Sequence, residues 1–361
     1  MLSIIVPTYL EAENIPSLIA EIFGSLNETG ISCEVIIVDD NSPDGIKEIV
    51  DQLVSDFPVR LMQPNGRGRD LSLSVIEGTL AAHGDHILVM DADLSHPPGL
   101  IPSMYRTLLE DESAFVVGSR YVKHGSFDRR WSLWRFFNSH IATLITRPLV
   151  QCQDPMSGFF AFRRDRVEDY DDLNPIGYKI GLELMVRGNF TSVREVPINF
   201  SDRELGESKL NLNQQIKFLR HLRRLYTVRF GTLGEILNYG AVGAGGLVID
   251  LLFYYSLQLL GMPHQLARAC SFWPAVSSNW YLNRVATFGE RKRRPHGKQW
   301  FEFVLTSLLG FSLNWGVYYI LTSGTAYFDD YRLLALIVGV GAASVFNFVM
   351  SSLVVYNEKR Q

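Results

Sequence analysis

The chain has 361 residues, of which 47% are hydrophobic and 20% charged, and its formal net charge is −4. That length holds one ordinary domain and something more. Its three cysteines, Cys33, Cys152 and Cys270, have no close pairing, so neither a disulfide framework nor a cysteine-ligated metal is indicated. The bulk averages hide a split: charges occur in every segment up to about Phe230, and long apolar stretches follow. The opening MLSIIVPTYL carries no basic region and no small-residue cleavage site, so no signal peptide is expected and the first domain is expected to stay in the cytoplasm.

Leu2–Val6 is a short, apolar, β-branched run, the pattern of a strand buried on both faces. Ala12–Leu26 follows with Ile15, Leu18, Ile19, Ile22 and Phe23 on one helical stripe. Strand-like Val35–Val38, helix-like Ile46–Phe57 and strand-like Val59–Met62 repeat the alternation. Leu71–His83, Ile87–Met90, Leu100–Leu109 and Phe115–Val117 extend it. Strands alternating with helices predict a mostly parallel α/β sheet, which takes its ligand at the carboxyl ends of the strands. Those ends carry Pro7-Thr8-Tyr9, Asp39-Asp40 and Asp91-Ala92-Asp93.

Asp39-Asp40 with the turn-rich Asn41–Gly45 also fits a plain turn and helix cap. Asp91 and Asp93 ask for more. Two carboxylates aimed into one crevice repel unless they share a cation. Hard oxygen ligands suit Mg²⁺ or Mn²⁺, with a diphosphate filling other coordination positions.

The ordered segments IIVPTYLEAEN, VIIVDDNSPD, VMDADLSHPP, VGSRYV, DPMSGFFAF, NPIGYKIGLE and RELGESKL resemble glycosyltransferase family 2, with its Rossmann-like GT-A fold, and within it the polyprenyl (dolichyl) phosphate mannose synthases. The resemblance covers about residues 2–230. It implies that Pro7, Tyr9 and Glu11 hold the base and ribose, and that Val38 and Asp40 contact the nucleotide. It implies that Asp91, Ala92 and Asp93 bind the metal and diphosphate, with Asp93 the direct ligand. Ser95 stands where relatives often have Gln, so a third metal ligand there is in question. The resemblance places Arg120 near the sugar and diphosphate, and Arg203 and Lys209 on a loop closing over the phosphates around Gly206. It matches Arg135 loosely to a contact with the acceptor phosphate. Asp70 departs from the Gly common at its position. Arg120, Arg203 and Lys209 also fit ordinary surface or membrane-edge charges, Tyr9 fits simple packing, and His96 before Pro97-Pro98 reads as a structural turn residue rather than a base.

A lipid phosphate is already anionic and needs no strong base. What remains is to place it, screen it and stabilise the departing diphosphate. Attack in line at the anomeric carbon inverts configuration, so GDP-α-mannose would give a β-linked mannosyl phosphate.

Ile236–Leu260, Trp300–Thr322 and Leu333–Tyr356 each reach the roughly 20 residues that span a bilayer. Leu266–Ala286, with Arg268, Pro274 and Arg284, is weaker and is expected to span as well. Asn279-Trp280 through Glu290 recurs 68 residues later as Asn347-Phe348 through Glu358, and two copies of a helical hairpin require four spans. The cations Lys217, Arg220, Arg223, Arg224 and Arg229, then Arg291–Arg294 and Lys298, then Lys359 and Arg360, put both termini on the cytoplasmic side. Residues 211–231 read as an interfacial amphipathic helix joining a transferase domain, 1–210, to a membrane domain, 232–361. That last part resembles GtrA-like membrane domains. Asp250 pairs with Arg268 or Arg284, or has a functional role.

The expected partners are a nucleotide-sugar, GDP-mannose favoured, a polyprenyl or dolichyl phosphate, and the bilayer. The basic clusters lie at membrane boundaries, so nucleic acid is not an expected partner. UDP-glucose with undecaprenyl phosphate is the nearest rival pair. A lipid-sugar translocase with an inert transferase domain is a rival of another class. A polysaccharide synthase would want a Q-x-x-R-W motif, which the sequence lacks.

Overall fold

The computed structural model describes residues 1–64, 66, 68–127, 141–174, 176–177, 179–200, 212–289, 291 and 295–357. Two units divide the chain, Met1–Arg229 and Phe230–Gln361.

In the first unit, β1 (Leu2–Thr8), β2 (Cys33–Asp39) and β3 (Val59–Met62) alternate with α1 (Ile15–Leu26) and α2 (Ile46–Leu53). Next come α3 (Leu71–Ala81), β4 (His86–Val89), α4 (Ile101–Glu110), β5 (Ala114–Ser119) and the short β6 (Ser126–Phe127). Then follow β7 (Phe160–Arg163), α5 (Ile180–Arg187), β8 (Ser192–Pro197), β9 (Asn199–Phe200) and α6 (Leu212–Phe230). Seven strands form one sheet in the order β3-β2-β1-β4-β7-β5-β8, and β6 pairs with β9. Among the described residues all pairings are parallel except those of β7, which runs against both β4 and β5. The mostly parallel GT-A-like sheet is as expected, but its reversed strand is not legible in an apolar run such as Phe159–Phe162, which looks the same in either direction.

Every residue of β1 is buried, as the sequence pattern requires. Helix α1 begins at Ile15 rather than Ala12 because Pro16 suits the first turn and no earlier interior position. Its buried face is Ile15, Leu18, Ile19, Ile22 and Leu26. Helix α3 lies flush on the sheet at Gly78, where a Cβ would stand 2.6 Å from Ile5 Cγ2 and 2.9 Å from Val38 Cγ2. The strand order turns back between β1 and β4, and the crevice above such a switch point is the natural ligand site.

Helix α6 packs on the first unit through buried His221, Leu222, Arg224 and Leu225. Arg224 donates to the fully buried Glu183 Oε1 at 2.8 Å and to the Asn174 carbonyl at 2.6 Å. The Ile176 N–H donates to His221 Nδ1 at 3.1 Å.

The second unit contains α7 (Thr232–Leu259), α8 (His264–Leu282), α9 (His296–Gly324), the short α10 (Ala326–Asp330) and α11 (Arg332–Met350). α8 and α11 each end in a π-turn, Asn283–Thr287 and Ser351–Val355, at the 68-residue repeat. Among the described residues three helical segments, Thr232–Leu259, His296–Gly324 and Arg332–Val355, are long and apolar enough to cross a membrane. Helix α8 is formed but is too polar to join them by composition. Large apolar side chains point outward, among them Leu259, Phe311 and Leu333. Phe288 stacks on its repeat partner Tyr356 at 4.6 Å. Asp250 pairs with Arg268, and Arg284 turns instead to Gln299. Arg291, one of the topology-setting cations, is committed internally, donating to Glu235 at 2.9 Å and to the Ser352 carbonyl at 2.7 Å.

Candidate active site

Three strand-end loops converge at the switch point. After β1 come Tyr9 and Glu11. After β2 comes Asp40, and after β4 come Asp91 and Asp93. Each loop turns through a non-glycine residue in the left-handed region: Leu10 (φ 60°), Asn41 (φ 54°) and Leu94 (φ 58°). Such residues cost about 1–3 kcal/mol each and persist where the surroundings impose them, commonly at functional sites.

The carboxylates are held individually. Asp93 Oδ1 accepts from the Ser95 backbone N–H at 3.1 Å and from its hydroxyl at 2.6 Å. Ser95 is only 2% exposed, so it orients Asp93, and its hydroxyl is already directed at that carboxylate. The Asp91 N–H donates to His96 Nδ1 at 2.9 Å. His96 is buried and stacks on Phe159 at 5.2 Å, and burial holds its pKa below the usual histidine value. It is thus a structural brace, as its turn position suggests. The Asp91 side chain stays 32% exposed at the mouth.

Asp40 accepts from the Asp70 N–H and the Ser74 hydroxyl, both at 2.9 Å, tying β2 to the loop before α3. Asp70 caps α3 by accepting from the Ser72 and Leu73 N–H groups, which accounts for an Asp where relatives have Gly. The Arg69 guanidinium lies over the Tyr9 ring at 4.0 Å. Glu11 accepts from Asn14 Nδ2 at 2.7 Å. Pro7, Val38 and Ala92 are buried. Val38 is fully buried, with its side chain against α3 at Gly78.

Arg120 forms a two-pronged pair with Asp154, Nε to Oδ2 and Nη2 to Oδ1, each 2.7 Å. The Arg120 backbone N–H donates to the same carboxylate at 3.1 Å. Burial works against the Arg120 charge, but the Asp154 hydrogen bonds and charge outweigh it and hold the guanidinium above its ordinary pKa. Asp154 is fully buried, and its own N–H donates to Glu195 Oε1 at 3.1 Å. Lys179 Nζ donates to the Met156 carbonyl at 2.8 Å. Burial first, then neighbouring Arg120, lowers its pKa to about 8 against the pull of Asp154 and Asp91.

Asp154, Glu195 and Lys179 are absent from the site read in sequence. Asp154 and Lys179 lie inside DPMSGFFAF and NPIGYKIGLE, and a charged residue within an otherwise apolar motif was the available signal. Arg135, Arg203 and Lys209 lie outside the described residues.

The donor set fits a divalent cation. Two hard carboxylates share one mouth, one of them pre-oriented by Ser95, and further positions would fall to diphosphate oxygens and water. Among the described residues no group of three or more ligating side chains occurs.

Residues 3–171 match the model of glycosyl transferase family 2, and residues 238–356 match that of the GtrA/DPMS transmembrane domain. The dolichol-phosphate mannosyltransferase of Pyrococcus furiosus is 34% identical over 349 residues, 96% of this chain and 97% of that one. The dolichol-phosphate mannosyltransferase of Saccharomyces cerevisiae is 38% identical over 245 residues, 65% of this chain and 90% of that one. Among solved structures, a glucosyl-3-phosphoglycerate synthase from Mycobacterium tuberculosis, in complex with Mn²⁺, UDP and glucosyl-3-phosphoglycerate, superposes with a TM-score of 0.46 at 19% identity. That match covers 63% of this chain and 79% of that one.

Proposed function

The chain belongs to the dolichol-phosphate mannosyltransferase family, and we propose that it transfers mannose from GDP-mannose to a polyprenyl phosphate with inversion at the anomeric carbon. The observation that carries this reading is the grouping of Asp91, Asp93 and the Asp154-anchored Arg120 around the buried His96 at the carboxyl end of the sheet. Negative and positive groups, each fixed by its own partners, suit a reaction in which one phosphate arrives and a diphosphate leaves.

Asp91 and Asp93 would hold Mg²⁺ or Mn²⁺, which when bound neutralises charge on the departing diphosphate. Ser95 keeps the Asp93 carboxylate turned toward that task. Asp154 holds the Arg120 guanidinium so that no reorganisation is needed as charge develops. Lys179, with a pKa near 8, is mostly a cation at neutral pH and adds a second positive group. The acceptor phosphate is itself the nucleophile, so no base is required. His96, whose Nδ1 is occupied by the Asp91 N–H, is not available as one.

Tyr9, Glu11 and Asp40 line the nucleotide side. Arg135, Arg203 and Lys209 serve the acceptor and the closing loop. The transferase domain takes residues 1–210, an interfacial helix 211–231, and four spans 232–361, with α8 as the polar fourth. Both termini and the transferase domain face the cytoplasm, in keeping with the distribution of Lys and Arg.

The test offers GDP-mannose and UDP-glucose separately with a polyprenyl phosphate and records the anomeric NMR signals of the lipid product. A β-linked mannosyl phosphate is expected from GDP-mannose. Product from UDP-glucose alone would replace the donor, and an α-linked product would overturn the inverting step.

A further inference from the structure

The transfer step uses neither His221 nor Arg224, two ionisable residues buried on α6. Both are directed at backbone groups of the chain that leads into α5. Arg224 donates to the Asn174 carbonyl at 2.6 Å and to the Asp172 carbonyl at 3.4 Å. It also donates to Glu183 Oε1 at 2.8 Å, and that same oxygen accepts from the Asn174 N–H at 3.1 Å. The Ile176 N–H donates to His221 Nδ1 at 3.1 Å. From the opposite side, the Ser72 hydroxyl at the start of α3 donates to the Gly177 carbonyl at 2.8 Å. Two residues further on, Lys179 Nζ donates to the Met156 carbonyl at 2.8 Å. Met156 lies two residues past Asp154, the anchor of Arg120. The route from α6 to the cations of the site is thus short, and it consists of hydrogen bonds and a few residues of chain.

His221 shows what this arrangement is for. Its Nδ1 accepts a hydrogen bond, so that nitrogen carries no proton. Burial holds the imidazole below the ordinary histidine pKa against the pull of Glu183, and Arg224 adds to the effect of burial. The proton of the neutral ring then sits on Nε2, which is buried and has no hydrogen-bond partner among the described residues. A donor left so is destabilising, and a phenylalanine or leucine would fill the same space without that cost. Packing alone does not account for a histidine here. The bond to the Ile176 N–H does.

We infer that His221 and Arg224 are positioning residues, which hold Lys179 against the Arg120–Asp154 pair through the chain leading into α5. They act through Lys179 rather than on the substrate. Their effect on transfer rests on the proposed role of Lys179 as a cation at the departing diphosphate, while the placement of Lys179 does not.

The test uses the full chain in lipid nanodiscs and reads two quantities. The first is the rate at which acetic anhydride acetylates Lys179, followed by mass spectrometry with the exposed Lys47 as internal reference. This readout needs no donor sugar, so it decides the placement of Lys179 even where GDP-mannose proves to be the wrong substrate. His221→Phe keeps the bulk of the ring and removes the acceptor, and should speed Lys179 labelling about tenfold by easing local opening. His221→Asn, whose Oδ1 stands near the place of Nδ1, should restore the slow rate. Leu222→Ala truncates a buried apolar residue of the same helix. It should lower Tm and leave Lys179 labelling unchanged. Equal speeding by Leu222→Ala and His221→Phe, or speeding by neither, would overturn the inference and leave α6 a packing element. The second quantity is transfer. In His221→Phe kcat should fall about tenfold with KM for the donor within about twofold, because the cation matters most as charge develops. His221→Asn should recover kcat, and an unchanged kcat beside faster labelling would overturn the link to transfer. If His221→Phe does not fold, Arg224→Lys takes its place, since it keeps the charge beside Glu183 and loses the fork to the two carbonyls.

Discussion

At the amino ends of β1 and β2, Glu34 is enclosed by its partners. The Ser3 hydroxyl and the His83 N–H each donate to Oε1 at 2.7 Å, and Arg60 Nε donates to Oε2 at 3.2 Å. At the carboxyl ends of the sheet, carboxylates are held from one side and left open on the other. Asp93 is gripped by Ser95, and Asp91 is a third exposed. Positive-φ residues sit in the three loops at that end. One end settles its charge inside the fold. The other keeps its carboxylates open to a partner, and the contrast separates stability from function within one sheet.

The sharpest way to break this comparison is at the open end. Asp93→Asn should lower the transfer rate about 10²–10³-fold, the cost of losing one preorganised electrostatic group. The Tm should hardly change, because the residue is partly exposed and Ser95 can still bond the amide. Rate assay and thermal unfolding on the same sample check both halves. A large loss of Tm would mean that the open end is structural after all.

Asp154→Asn mixes the two roles. Breaking a buried ion pair by removing one partner costs about 3–5 kcal/mol, so Tm should fall and transfer should fall with it. Unchanged stability would mean that Arg120 has another equivalent anchor.

Lys179 gives a pH signature. Its pKa is lowered to about 8, so the cation is lost as pH rises through that value, well below the ordinary lysine value of 10.5. Transfer by the free enzyme, followed as kcat/KM, should decline above about pH 8, and Lys179→Arg should move that limb upward. A limb that ignores the substitution belongs to another group.

The smallest effect is expected at the closed end. Burial alone would raise the Glu34 pKa, but hydrogen bonds from Ser3 and His83 and the charge of Arg60 outweigh it and lower it below 4.5. A depressed carboxylate contributes stability above its unfolded pKa and loses it as pH falls through the folded one. Glu34→Gln should therefore cost about 1–2 kcal/mol near neutral pH, and the difference from wild type should shrink below pH 4.5. Transfer per folded molecule should be unaffected.

Much of the site's placement was legible in the sequence because strand ends can be read from apolar runs and turn residues. The carboxylates after β2 and β4 stand where that reading puts them. The supports were harder to see. Asp154 reaches Arg120 across 34 residues of chain and Glu195 reaches Asp154 across 41, contacts that no local pattern encodes. The reversed strand β7 was hidden because apolar alternation carries no direction. Helix α8 was weak as a span because Arg268 lies in it, and the structure gives that cation Asp250 as its counter-charge. Val38 was placed at the ligand by resemblance, and with its side chain buried against α3 only its backbone is left for such a contact.

The central claim is transfer of mannose to a lipid phosphate at the Asp91 and Asp93 mouth. It is tested most directly by counting organic-phase label from radiolabelled GDP-mannose and a polyprenyl phosphate, with Mn²⁺ and then with EDTA. The account predicts label that disappears with EDTA and returns when Mn²⁺ is restored. No label from GDP-mannose, or label indifferent to EDTA, would contradict it.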